Sequence, residues 1–203
     1  MKIIELILDE ENLDDDNGIT AVSIVSEPAI EESFIALKNQ EFKFAEQDKE
    51  KRLILGAALV PNRPIYRRSE KDGSEFYIFF SKSTVRKASE LFFIKGNQSE
   101  ATLEHDKTLK NMTIVESWIV ESEKDKTRHY GMDVPVGSWV ISMKVNDDDV
   151  WNNQIKNGKV SGFSIEAFMV DRFAKKNDSK LKKEVEAENL IQKVSKILKE
   201  TNV

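Results

Sequence analysis

The fold of this chain is decided by one stretch of its sequence, Val160-Ser161-Gly162-Phe163-Ser164-Ile165-Glu166-Ala167. Its apolar character is typical of a β-strand, in which successive side chains point to opposite faces. Phe163 and Ile165 then face a core. Ser164 and Glu166 lie on the opposite side together with Gly162, and the glycine leaves room for another peptide backbone to approach the Ser164 hydroxyl. The alternative is that Ser164 is an ordinary strand serine whose hydroxyl bonds only to the backbone. This alternative matters because short sequence motifs often match a catalytic pattern by chance.

A second short segment, Thr102-Leu103-Glu104-His105-Asp106, contains one of the two histidines in the chain. We expect a strand over Ala101–His105, which turns His105 to the same side as small and apolar residues. A partly shielded, neutral imidazole acts as a general base near pH 7. A serine activated by such a base is the core of acyl-transfer chemistry, so His105 and Ser164 are the candidate pair. A purely structural histidine is the alternative. The other histidine, His129, lies in a charged stretch and is expected to be exposed.

The composition excludes several classes of function. The chain has 203 residues, of which 39% are hydrophobic and 33% charged, as expected of one core with a highly charged surface. A net charge of −5 without a basic stripe argues against nucleic-acid binding. Because the chain has no cysteine, disulfides and thiolate catalysis are excluded. No run of apolar residues reaches the roughly 20 residues that a membrane-spanning helix needs. No signal peptide is recognised at the start of the sequence. We therefore expect a soluble intracellular protein that does not bind membranes.

Neither a metal nor a cofactor is expected. Two histidines and no cysteines leave little room for a nitrogen or sulfur metal site. The densest acidic run, Asp147-Asp148-Asp149, fits the start of a helix better than an all-carboxylate site.

The pattern of short segments predicts an α+β fold. About nine or ten strands and few helices favour a mostly antiparallel β-sheet closed toward a barrel, with a few flanking helices. We divide the chain into a β-barrel domain over residues 1–173 and a charged linker with an amphipathic helix over residues 174–203. The helix, Lys180–Glu200, carries a broad apolar stripe. It is either a scaffold-like or self-association element or a C-terminal helix packed on its own domain.

Four segments, in their order along the chain, resemble the prohead maturation proteases of tailed phages, in particular the XkdF-like branch, which is related in fold to herpesvirus assemblin. The segments are Thr102–Asp106, Thr113–Val120, Val134–Val140 and Gly162–Glu166. The similarity extends from Gly56 to about Arg172. In that family a histidine and a later strand serine form the catalytic pair. The resemblance therefore implies that His105 and Ser164 are catalytic and that residues 1–173 form a protease-like domain.

One departure from the family pattern bears on the third catalytic residue. Commoner members carry a segment similar to Glu-Val-Ser-Leu-Val-x-x-Pro-Ala after the catalytic serine. Here the similar run, residues 21–29, precedes the serine, which resembles a circular permutation. The acidic residue that would orient the histidine has become Ala21. Glu116, on the strand after the histidine, is the predicted substitute, although an exposed surface carboxylate is the alternative for it. Glu166, on the same face as the serine, is its rival, and a water-assisted dyad is the third possibility.

The resemblance implies a serine endopeptidase that acts during phage procapsid maturation. Its substrates would be scaffold protein, the scaffolding segment of the major capsid protein and the protease itself. The enzyme, which could form a homo-oligomer, would work without a cofactor inside a procapsid that assembles in the cytoplasm of a bacterial host. Backbone N–H groups of a loop near the serine strand would stabilise the oxyanion. Two other classes remain open: a non-catalytic capsid-assembly or scaffold protein that retains the fold, and a binding module in which the serine and the histidine lie far apart.

Overall fold

The structure, a computed structural model, describes residues 2–9, 17–28, 35–37, 51–69 and 71–172. The predicted C-terminal helix and the rest of residues 174–203 lie outside these ranges, so the division into two domains stays a prediction. None of the helices in the described part of the chain has the length and apolar character needed to cross a membrane.

The described residues form twelve strands and one α-helix. The strands are β1 (Lys2–Ile7), β2 (Gly18–Val25), β3 (Ile35–Leu37), β4 (Leu53–Leu59), β5 (Ile65–Arg68), β6 (Glu75–Phe79), β7 (Ala101–Leu103), β8 (Lys107–Leu109), β9 (Met112–Ile119), β10 (Trp139–Val145), β11 (Gly162–Phe168) and β12 (Val170–Asp171). The α-helix, α1, spans Lys82–Ile94. Two 3₁₀ helices span Asn97–Ser99 and Lys126–Tyr130, and a π-helix spans Val150–Ile155.

The strands belong to three four-stranded sheets. Their orders are β12-β1-β6-β5, β3-β4-β10-β9 and β11-β2-β7-β8. Seven ladders in the described chain are antiparallel, and two, between β1 and β6 and between β2 and β7, are parallel. The prediction of a strand-dominated α+β fold is therefore confirmed.

The predicted closure toward a barrel is wrong, because no sheet closes on itself within the described ranges. β11 runs close to β4, but the two strands belong to different sheets. A closed barrel would need hydrogen-bonded pairing between strands at this point. The short strand β3 already pairs with the first three residues of β4. Local sequence predicts strands, whereas the choice of which edges pair depends on residues far apart in the chain.

Helix α1 fills the space beside β2 and β10. The helix begins after Ser81, whose hydroxyl accepts a backbone N–H of the first turn at 3.5 Å. Val85, Ala88 and Phe92 repeat at helical spacing and are fully buried. The ring of Phe92 lies edge-on to Trp139 of β10, with 5.5 Å between the ring centroids. This aromatic pair joins the helix to the second sheet.

The third sheet contains the predicted serine strand, β11. Val22 and Ile24 of β2 and Phe163 of β11 are fully buried, so one face of this sheet belongs to the core. Alternation along the strands then directs Ser23 and Ser164 to the opposite face. The apolar and polar faces expected for the serine strand are both present.

Candidate active site

Three hydroxyl side chains lie side by side across the third sheet. Ser164 of β11 is the register partner of Ser23 on β2, and Ser23 is in turn the partner of Thr102 on β7. Residues paired across strands in this way point to the same face of a sheet. The row of hydroxyls therefore covers the face opposite the core, and its central member, Ser23, is fully buried.

His105 lies in a tight turn, which corrects the predicted strand over Ala101–His105. β7 ends at Leu103, and the Asp106 N–H donates to the Leu103 carbonyl at 3.1 Å to close the turn. Glu104 and His105 both have a positive φ, of 52° and 59°. Positive φ at two successive positions gives a hairpin turn whose twist matches the flanking antiparallel strands, here β7 and β8. The imidazole consequently lies at the end of the hairpin, with 41% of the side chain exposed.

Hydrogen bonds to β2 hold this turn in place. The His105 N–H donates to the Ser23 hydroxyl at 3.0 Å, and that hydroxyl donates to the Thr102 carbonyl at 3.4 Å. The Glu104 N–H donates to a carbonyl of β2 at 3.0 Å. Ser23 is therefore a buried link between the strand beside the candidate nucleophile and the backbone of the candidate base.

Glu166 is the carboxylate that reaches the imidazole. Its Oε1 lies 3.3 Å from Nδ1 of His105 and also accepts the hydroxyl of Thr102. Because Glu166 belongs to β11, its side chain crosses β2 to reach both groups. Its register partner on β2 is Ala21, whose single methyl group leaves this path open. A carboxylate at Nδ1 orients the ring and leaves Nε2 for proton transfer.

Glu116 lies in a different part of the molecule. It belongs to β9 in the second sheet, opposite Ser142 of β10. Its Oε1 is 3.6 Å from Nζ of Lys126, and 52% of its side chain is exposed. Across the ranges that the structure describes, no hydrogen bond or ion pair joins Glu116 to His105. Of the two carboxylates considered for the third position, the structure brings Glu166 to the histidine and leaves Glu116 in a surface ion pair.

The Ser164 hydroxyl makes no hydrogen bond to His105. Ser164 is only 9% exposed, and its hydroxyl has no hydrogen-bond partner among the described residues. β2, with Ser23, separates β11 from the hairpin that carries the imidazole. The candidate nucleophile and base thus share one face of one sheet, and a direct hydrogen bond between them requires a side chain to move from its present position. Such bonds often tighten only when the substrate binds.

The remaining predicted features have structural roles. The acidic run at residues 147–149 begins a helix, because Oδ1 of Asp147 accepts the N–H of Val150 at 3.0 Å. His129 is exposed in its 3₁₀ helix, as expected. In the residues with a described placement, no group of three or more histidine and acidic side chains is positioned to hold a metal ion.

A small cavity adjoins the serine strand. It has a volume of about 30 Å³ and lies where β11 faces β4 and β5. Ser164 and Arg67 line it, together with apolar side chains that include Leu59, Phe80 and Phe163.

Sequence reasoning missed Ser23, Thr102 and Arg67 as site residues. Ser23 interrupts the apolar run Ala21–Val25 in the same way as Ser164 interrupts its own strand, and this signal could have identified it. Thr102 lies within a segment that was considered only for its histidine. Arg67 gives no such signal, because its role depends on which elements meet at the cavity.

Residues 41–172 match the family model described as putative phage serine protease XkdF. The match covers more than half of the chain and includes both His105 and Ser164, whereas Ser23 precedes it. No curated protein and no solved structure matches the chain.

Proposed function

The chain belongs to the phage serine protease family XkdF, and on this premise we propose that it is a serine endopeptidase. We assign the nucleophile to Ser164, the general base to His105 and the orienting carboxylate to Glu166. One observation carries this assignment: the imidazole lies 3.3 Å from the Glu166 carboxylate, on the sheet face that also bears Ser164. Serine, histidine and carboxylate then have the three roles of a catalytic triad.

The proposed reaction passes through an acyl-enzyme. Glu166 accepts the hydrogen bond of a protonated Nδ1, so that Nε2 of His105 is free to take the Ser164 proton while Oγ bonds to the peptide carbonyl carbon. The C–N bond breaks as the imidazolium gives that proton to the departing amine. Water then loses a proton to the same nitrogen, attacks the acyl carbon and releases the carboxylic acid, and the proton returns to Ser164.

Ser23 is the neighbouring serine that this assignment must exclude as nucleophile. Its side chain is fully buried. Its hydroxyl accepts the His105 N–H and donates to the Thr102 carbonyl, so both its proton and a lone pair are engaged. Ser164 is also largely buried, at 9% exposed, but its hydroxyl has no hydrogen-bond partner among the described residues, which supports its assignment as the reacting serine.

Strand β2 supports the proposal of a circular permutation. In the commoner members that the sequence resembles, the similar run follows the catalytic serine. A chain that turned back directly after β11 would place that run antiparallel beside it. Here β2 pairs antiparallel with β11 but precedes it in the sequence by more than a hundred residues. We propose that the permuted strand fills the same place in the sheet.

We propose the substrates from the family resemblance. They are scaffold protein, the scaffolding segment of the major capsid protein, and the protease itself. The enzyme would act without a cofactor inside the assembling procapsid, in the cytoplasm of the bacterial host. In the assembling procapsid, the proteolytic activity would have to be confined to the interior of the particle.

A serine-directed fluorophosphonate probe tests the nucleophile. We expect the full chain to be labelled at Ser164 and labelling to be lost in Ser164→Ala. Ser161→Ala is the matched control, because this nearby serine is hydrogen-bonded to the Ser26 carbonyl at 2.8 Å and should not affect labelling.

Coexpression with the capsid and scaffold proteins of the same phage tests the activity. The wild-type chain should cut these proteins, and Ser164→Ala should leave them intact. In the probe experiment, labelling that persists in Ser164→Ala would refute Ser164 as the nucleophile. In the coexpression experiment, capsid protein that stays uncut with the wild-type chain would refute the proposed substrates.

One observation favours a second candidate, a non-catalytic assembly protein that retains the fold. Within the described part of the chain, the Ser164 hydroxyl is not bonded to His105. A protein of this class would resist the probe and would assemble with capsid protein without cutting it, so the same two experiments distinguish the candidates.

A further inference from the structure

The cavity beside Ser164 is lined by one arginine, Arg67, which has no acidic partner among the described residues. Arg67 lies on β5, where alternation puts it on the same face as the buried Ile65, and both residues line the cavity. One guanidinium nitrogen donates to the Tyr66 carbonyl at 2.9 Å. In the part of the chain that the structure describes, no carboxylate pairs with Arg67.

The guanidinium keeps its charge in this position. Burial lowers the pKa of Arg67, although the residue as a whole is exposed. Arginine nevertheless stays protonated in proteins at neutral pH. Its N–H donors that are not bonded to the Tyr66 carbonyl are available to an anion that enters the cavity, because no described carboxylate pairs with Arg67. The planar fork of N–H donors matches a carboxylate in particular.

We propose that this cavity is a substrate subsite for an acidic side chain, aspartate or glutamate, next to the bond that Ser164 cleaves. The inference rests on the proposed protease function, because Ser164 defines where the cleaved bond lies. Arg67 binds the carboxylate of the substrate, and Ser164 lines the same cavity. Arg67 is a specificity residue that takes no part in breaking the bond.

The size and the walls of the cavity suit a carboxylate. Its volume of about 30 Å³ holds roughly two water molecules, which a carboxylate can displace. The apolar walls, which include Leu59 and Phe80, lower the local dielectric constant and strengthen the attraction between opposite charges. A basic side chain would meet Arg67 as a like charge, and a large aromatic side chain would not fit.

A binding experiment tests the subsite separately from catalysis. Full-length Ser164→Ala protein is incubated with a random peptide library, and the bound peptides are sequenced. We expect enrichment of Asp and Glu at one fixed position, and we expect this enrichment to disappear when Arg67→Gln is added. Acidic enrichment that persists with Arg67→Gln, or no enrichment in the Ser164→Ala protein, would overturn the proposal.

Arg68→Gln, added to the same Ser164→Ala protein, is the matched control. Arg68 is the next residue of β5 and points to the opposite face, where it donates to the Gly73 carbonyl at 3.4 Å. Its replacement removes the same charge from the neighbouring position of the strand and should leave the acidic enrichment unchanged. An equal loss with Arg68→Gln would show that only the overall charge matters, and the subsite would be refuted.

A cleavage experiment then distinguishes binding of a side chain from stabilisation of the reacting oxygen. With peptides that carry Glu or Gln at the enriched position, we expect kcat/KM to be at least about tenfold higher for Glu. Arg67→Gln should abolish this preference, and Arg67→Glu should favour Lys. An equal fall of kcat for both peptides would refute the specificity role. If the wild-type chain cuts neither peptide while acidic enrichment persists, the binding of acidic side chains by Arg67 stands, but the protease function and the role of the cavity as a substrate subsite fail.

Discussion

Glu166 and Ala21 face each other across the ladder between β11 and β2, and the Glu166 side chain passes over Ala21 to the imidazole of His105. Under the proposed circular permutation, Ala21 corresponds to an acidic residue in the family pattern that the sequence resembles. Under the proposed assignment, the carboxylate that orients the histidine is supplied here by the neighbouring strand. We expect a larger residue at position 21 to compete for the same space, so the identities of the two residues should depend on each other.

Glu166→Gln should lower kcat by about 100- to 10,000-fold with little change in KM. The amide cannot hold the imidazole in the orientation and tautomer that a general base needs. The rate of cleavage of a capsid-derived peptide by the purified variant measures this effect. Glu116→Gln is the matched control and should behave as the wild type, because Glu116 contacts Lys126 at the surface. Equal losses in both variants would contradict the assignment of Glu166.

A carboxylate returned to position 21 should restore part of the activity that Glu166→Ala removes. Ala21 is opposite Glu166 on the same face, so a glutamate there starts one strand closer to His105. We expect Ala21→Glu/Glu166→Ala to cleave at least about tenfold faster than Glu166→Ala alone. Circular dichroism would verify that both variants fold. A folded double variant with no recovery would show that the two positions are not equivalent.

Ser23→Ala should reduce both stability and turnover. The substitution leaves the His105 N–H without its acceptor beside a buried strand, which costs about 1–3 kcal/mol of unfolding free energy. Because the turn then loosens, kcat should also fall. Urea denaturation and peptide cleavage measure the two effects. Ser161→Ala serves as the control, with an expected change of at most about 0.5 kcal/mol, and a similar cost for both serines would argue against a special role for Ser23.

Asp125 should make the stability of the protein depend on pH. Its carboxylate accepts the N–H of Thr127 at 2.9 Å and the indole N–H of Trp118 at 3.1 Å. Burial by itself raises the pKa of Asp125, but these hydrogen bonds outweigh it and the pKa is lowered. The unfolded chain has the ordinary value of about 3.9. The carboxylate therefore stabilises the fold above that pH and loses its contribution as the pH falls through the lower, folded value.

The variant Asp125→Ala tests this dependence. We expect a loss of about 1 kcal/mol of unfolding free energy at pH 7, which is typical of a lost helix cap. The difference from the wild type should shrink as the pH falls below about 4. Thermal or urea unfolding across this range provides the measurement, and a difference that grew toward acid pH would contradict the role of the carboxylate. Glu123→Ala, which changes an exposed carboxylate nearby, is the control.

Local features of the fold could be predicted from the sequence. The buried Phe163 and the polar-face Ser164 follow from simple alternation, and the acidic start of the helix at Asp147 follows from capping preferences. The turn at His105 could not be predicted in this way. Positive φ in two residues other than glycine is uncommon, and the pairing of β7 with β8 imposes it here.

The sequence alone also could not decide whether Glu116 or Glu166 lies beside His105. Glu116 is close to His105 along the chain but belongs to another sheet, whereas Glu166 is distant in sequence and reaches the imidazole through register. The same limit applies to the barrel, because strand order depends on pairings between remote segments. Alternation along a strand predicts which face of the sheet a side chain occupies. Which strands lie next to each other in that sheet is known only from the hydrogen-bonded pairing in the structure.

The position of β2 has a consequence for the point during synthesis at which the candidate site is complete. Thr20 of β2 and its hydrogen-bond partner Glu166 are 146 positions apart. On the ribosome, β2 emerges early and has no partner for its outer edge until β11 is synthesised. A nascent chain that ends before β11 therefore lacks Ser164 and Glu166, and the candidate site is completed only when this late strand joins β2.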